Sequence, residues 1–91
     1  MKFNGALVKT DERVIGVAVV ENDFLDLDPE VRAKRLMQYH KGFGGQVPVL
    51  VLLESVENKE KYWGRPDLIP LVKDVPLNMM TFKTWTAPDE A

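Results

Sequence analysis

The chain has 91 residues, 45% hydrophobic and 29% charged, with a formal net charge of -2 and no cysteine. That length fits one domain with a modest core, and the composition excludes global disorder. Because Lys, Arg, Asp and Glu are interspersed, there is no basic footprint for a phosphate backbone, and nucleic acid is not an expected partner.

Residues 2–8 and 14–20 are rich in strand formers. The polar stretch Lys9, Thr10, Asp11, Glu12 and Arg13 between them predicts a β-hairpin. In the second strand Ile15, Val17 and Val19 share one face, while Val14, Gly16, Ala18 and Val20 form a flatter one that another element can approach closely. Residues 21–27 alternate acidic and apolar side chains and read as a connection. Asp28 then supplies a helix N-cap, Pro29 a first helical position and Glu30 a first-turn acid. The helix is expected over residues 29–41, stopped by Gly42, with Ala33, Leu36, Met37 and His40 as its inward stripe.

Residues 46–54 organise the rest, because they are apolar on both alternating faces: Val47, Val49, Val51 and Leu53 on one, Leu50 and Leu52 on the other. This predicts a central strand covered on both sides, each buried aliphatic side chain contributing about 1.5–3 kcal/mol. A charged exposed segment is expected at residues 57–61, followed by a loop of Tyr62, Trp63, Gly64, Arg65 and Pro66. Asp67 is a second N-cap candidate, and Pro70 is tolerated in the first turn, where backbone N–H groups lack partners anyway. Leu68, Leu71, Val72 and Val75 then form an i, i+3, i+4, i+7 stripe, predicting a short helix ended by Pro76. Residues 78–86 read as a last strand, with Met80 and Phe82 on one face and Lys83 and Trp85 on the other. Residues 86–91 read as a frayed polar tail.

The order β-β-α-β-α-β predicts a single α/β domain over residues 1–91, with α+β as the alternative class, built on a four-stranded mixed sheet with two helices. The helices either divide between the two faces or cover one face and leave the other to a second copy. Residues 15, 17, 19, 47, 49–53, 80, 82 and 85 offer more apolar surface than two short helices cover easily, which predicts a homodimer.

Candidate chemistry is sparse. Without cysteine there is no disulfide, thiolate nucleophile or thiolate metal site, which fits a reducing, cytoplasmic location. The residues after Met1 form no apolar signal segment, and the longest apolar run falls far short of the ~20 residues of a membrane span, so no membrane association is expected. Gly42, Phe43, Gly44 and Gly45 resemble a phosphate loop only in composition. They leave a helix and enter a strand, meeting carbonyl ends instead of amide ends, and so read as a helix stop. His40, the one histidine, sits on the apolar stripe with no Ser, Asp or second His at relay spacing, and one His without Cys does not make a zinc site. Asp23, Asp26 and Asp28 lack the glycine and terminal Glu of a Ca²⁺ loop and read as solvated loop acids. Pro66-Asp67 is not followed by the acid-x-Lys of a nuclease. No catalytic residue, metal or cofactor is assigned.

Tyr62, Trp63, Arg65 and Asp67 stand out, because two aromatics and an arginine framed by Gly64 and Pro66 match the residue types of binding hot spots. The leading expectation is therefore a non-catalytic interaction module that binds a protein partner or itself through this loop or an uncovered sheet face. The alternative is a small-molecule binder or enzyme in which His40, Tyr62, Arg65 and Asp67 converge on a pocket between helices and sheet, Arg65 holding an anion and His40 exchanging protons.

Overall fold

The computed structural model describes residues 1–53 and 61–88. A single mixed sheet carries one helix on each face. Strands β1 (Lys2–Lys9) and β2 (Val14–Val20) form the expected hairpin, in register from Asn4 opposite Val19 to Lys9 opposite Val14. Thr10 closes its turn: the hydroxyl donates to the Arg13 carbonyl at 2.9 Å and accepts from the Arg13 amide at 3.1 Å. A 3-10 segment (Asn22–Asp26) leads to helix α1 (Pro29–Gly42), which returns the chain to β3 (Val49–Leu53), parallel to β2. Helix α2 (Ile69–Lys73) crosses the other face and leads through a second 3-10 segment (Leu77–Met79) to the last strand.

Five strands form the sheet, one more than expected. The additional one is β4 (Lys61–Trp63), paired antiparallel with β3 so that Val51 faces Trp63 and Leu52 faces Tyr62. Three residues are too short a run to show an alternation against charged neighbours. The final strand, β5 (Lys83–Thr86), is shorter than expected and pairs antiparallel with β1, giving the order β4-β3-β2-β1-β5. The central strand is thus β2, with β3 made interior by β4 on its outer edge. Most of the segment expected at 57–61 lies outside the described residues, as do Glu54 and residues 89–91. The tail is paired further than expected, because the Ala87 amide donates to the Met1 carbonyl at 2.7 Å and the Ala87 methyl is buried.

The two faces bury different chemistry. Under α2 the core is mainly aliphatic, with Ile15, Val17, Leu50, Leu68 and Val72 fully buried and Ala6, Val8 and Leu52 beside them. Under α1 it is aromatic: Phe3 packs on Tyr39 and Phe43, with ring centroids 4.9 and 5.3 Å apart, and Phe43 lies 4.8 Å from Trp85. The flat face of β2 receives Phe43, the residue just past the helix, where a Cβ on Gly16 would sit 2.6 Å from the ring. Helix α1 ends one residue beyond the expected stop, with Gly42 still helical. Gly44 (φ 102°) and Gly45 (φ 77°) both take positive φ, and their amides donate to the carbonyls of Lys41 and His40, a complete Schellman cap.

The inward stripe of α1 differs from the one expected. Ala33 and Met37 are exposed, Met37 by 47%, and Tyr39 is buried in their place with Leu36 half-buried. Aromatic reach decides this, since Tyr39 and Phe43 at i and i+4 fill the space over Phe3 that an Ala and Met stripe could not. Asp28 occupies the N-cap position of α1 without a side-chain capping bond, and Leu68, not Asp67, is the N-cap residue of α2. With a core on each face, the homodimer expectation loses its premise of an uncovered face.

Candidate functional site

The residues singled out from the sequence are dispersed. Tyr62 and Trp63 belong to β4, not to a loop, so their side chains point to opposite faces. Tyr62 is buried in the aliphatic core with its hydroxyl 4.0 Å from the Met80 sulfur. Trp63 is half-buried on the α1 face, edge-on to Phe24 at 5.6 Å, with the Arg32 guanidinium 5.6 Å from its ring centroid. His40 also lies on the α1 side, so His40 and Tyr62 are separated by the sheet and share no pocket. The His40 Nδ1 is 2.9 Å from the Val47 carbonyl, which can only accept, so Nδ1 carries the hydrogen and ties the end of α1 to the chain entering β3.

Arg65 and Asp67 are both exposed and already occupied with each other. Arg65 Nη2 donates to Asp67 Oδ2 at 2.8 Å and Nε to Oδ1 at 3.2 Å, while the Arg65 carbonyl accepts from the Leu68 amide at 3.1 Å. The pair shapes the turn into α2. The hydrogen bond from Arg65 holds the Asp67 carboxyl below the usual carboxylate range. A carboxyl depressed by folding adds stability above its unfolded pKa of about 4 and loses that contribution as pH falls through the lower folded value. We expect the Asp67 carboxyl to titrate below that range by NMR and to return toward it in Arg65→Met. An unchanged titration in the variant would show that Arg65 is not the cause.

The residues that do converge line a cleft of about 410 Å³ beyond the end of β2, between the first 3-10 segment and α1. The carboxyl ends of parallel strands are where open α/β sheets place ligands, and the volume falls within the range of ligand sites, roughly 300–1,000 Å³. Phe3, Val20 and Phe24 form its apolar floor, and Tyr39 stands on the α1 side. Lys2, Glu21, Asp23 and Arg35 also line it, as does Met1, whose ammonium donates to the Ala87 carbonyl at 2.9 Å. Among the described residues none of these four has an ion-pair partner.

The wall of this cleft is held from outside. Phe24 is clamped by Trp63, and Arg32 Nη1 donates to the Leu25 carbonyl at 3.0 Å, pinning the 3-10 segment to α1 and β4. Trp63 thus bears on the cleft as a support behind one of its floor residues. The one sequence signal for the site was the alternation of acidic and apolar residues at 21–27, where Glu21 and Asp23 face the cleft and Phe24 and Leu27 anchor it. Lys2, Arg35 and Tyr39 carried no such signal.

A shallower apolar groove of about 300 Å³ runs beside α1, lined by Ala33, Leu36, Met37, His40 and Val49. No helix among the described residues is long and apolar enough to cross a membrane. Compared with known proteins, the chain matches no protein family, no curated protein sequence and no solved structure.

Proposed function

We propose that the protein is a small binding module that works without catalysis, and that its ligand seat is the cleft between the 3-10 segment and α1. The observation that carries this reading is the set of charged side chains Lys2, Glu21, Asp23 and Arg35 around one concavity, uncommitted among the described residues, over an apolar floor. Charges left without partners at a surface are ordinary; four of them around a concavity of ligand size offer both orientation and specificity. A fragment library screened by two-dimensional amide NMR should return binders whose shifts concentrate on Asp23, Phe24, Leu27 and Arg35. Trp63→Ala should weaken those binders without touching them, by releasing Phe24. Fragments that map only elsewhere would remove the cleft from consideration.

A second reading, a protein partner, is favoured by the apolar groove beside the exposed Met37. Met37→Glu should then abolish partner binding while leaving fragment shifts at the cleft intact.

A further inference from the structure

Resting on the second reading, we infer that the occupant of the groove beside α1 is a second copy of the chain, seated by antiparallel pairing of the two α1 helices about a two-fold axis. At 3.6 residues per turn, Glu30, Ala33, Met37, His40 and Lys41 fall within an arc of about 100°. Glu30, Ala33, Met37 and Lys41 are exposed, Met37 by 47%, and Leu36 and Val49 border the arc along the groove. This side of α1 therefore presents an apolar centre with an acid at its N-terminal end and a base at its C-terminal end.

Such a surface complements itself when the two helices run antiparallel. A two-fold axis crossing α1 midway between Ala33 and Met37 sets each Met37 on Ala33 of the other copy, a long flexible side chain over the smallest residue of the groove. Glu30 lies five positions before that midpoint and Lys41 six after it, so the same axis sets each Glu30 beside Lys41 of the other copy. Within one chain about 16 Å of helix separates Glu30 from Lys41, and neither has an ion-pair partner among the described residues. A parallel pairing would set acid on acid and base on base. Lys34, one position from the midpoint on the flank of Glu30 and Lys41, faces its own mate and opposes the pairing. A contact built on one helix is small, so the dimer is weak and fills only at high protein concentration.

The test is sedimentation equilibrium of the whole protein from micromolar to millimolar concentration, with amide spectra to show that each variant is folded. The wild type should pass from monomer to dimer, and Met37→Glu should stay monomeric. Glu30→Lys and Lys41→Glu should each weaken dimerisation about tenfold, because two attractive pairs become repulsive, and an equimolar mixture of the two should recover wild-type affinity as a heterodimer. Lys34→Gln should tighten the dimer by removing the like-charge contact. All four positions are exposed, so the variants should fold. A mixture no tighter than its components, or a Lys34→Gln dimer no tighter than wild type, overturns the antiparallel two-fold. Dimerisation that Met37→Glu leaves unchanged overturns α1 as the surface. A monomer mass at every concentration overturns the second copy and leaves the groove to a foreign partner. The protein-partner reading itself fails only if wild type and Met37→Glu also recover the same proteins from a lysate.

Discussion

Replacing Phe43 by Ala should cost about 3–5 kcal/mol in chemical denaturation, a large part of the stability of a domain this size, about 5–15 kcal/mol. The ring lies over Gly5 and Gly16 and meets Phe3 and Trp85 edge-on, at 5.3 and 4.8 Å, so its removal leaves a void that three strands, β1, β2 and β5, border. It also explains the glycine beneath it. A Cβ at Gly16 would come within 2.6 Å of Phe43 Cδ2, and Gly16 is not among the glycines of positive φ, so the demand for glycine there is steric alone. Gly16→Ala should accordingly destabilise the wild-type protein by about 1–3 kcal/mol, the usual cost of overpacking, and be close to neutral in the Phe43→Ala background. Strictly additive losses would show that the ring is not what excludes a side chain at Gly16.

On the other face, Leu50→Ala should cost about 2–5 kcal/mol, since Leu50 is fully buried between Ile15, Val17 and the residues of α2. Its partner glycine behaves differently from Gly16. Gly64 has φ 144°, and a Cβ there would also sit 2.8 Å from Leu50 Cδ2. Gly64→Ala therefore combines a clash with backbone strain, and Leu50→Ala relieves only the clash. We expect Gly64→Ala to remain costly by about 1–3 kcal/mol in the Leu50→Ala background. Full relief in the double variant would mean that the φ angle imposes no strain. Gly64 also turns the chain from β4 toward the Arg65–Asp67 pair, so its loss should loosen the approach to α2.

What the sequence determined by itself was local in origin. The hairpin, the limits of α1 to within a residue, the two-sided burial of β3 and the stripe of α2 all follow from periodicity and turn chemistry within short windows. The flat face of β2 was equally legible, because Gly16 and Ala18 have no bulk to hide. The tertiary structure decided what depends on distant partners. Residues 61–63 are a strand only because β3 presents an open edge to them, and Tyr62 and Trp63 then part to opposite faces by the two-residue period. Tyr39 displaces Ala33 and Met37 from the inner side of α1 because Phe3, some 36 positions earlier in the chain, offers it a ring to pack on. The cleft was illegible for the same reason. Lys2 lies on β1, Glu21 and Asp23 at the start of the 3-10 segment and Arg35 on α1, and only the folding of α1 back over the β1–β2 hairpin brings them to one concavity.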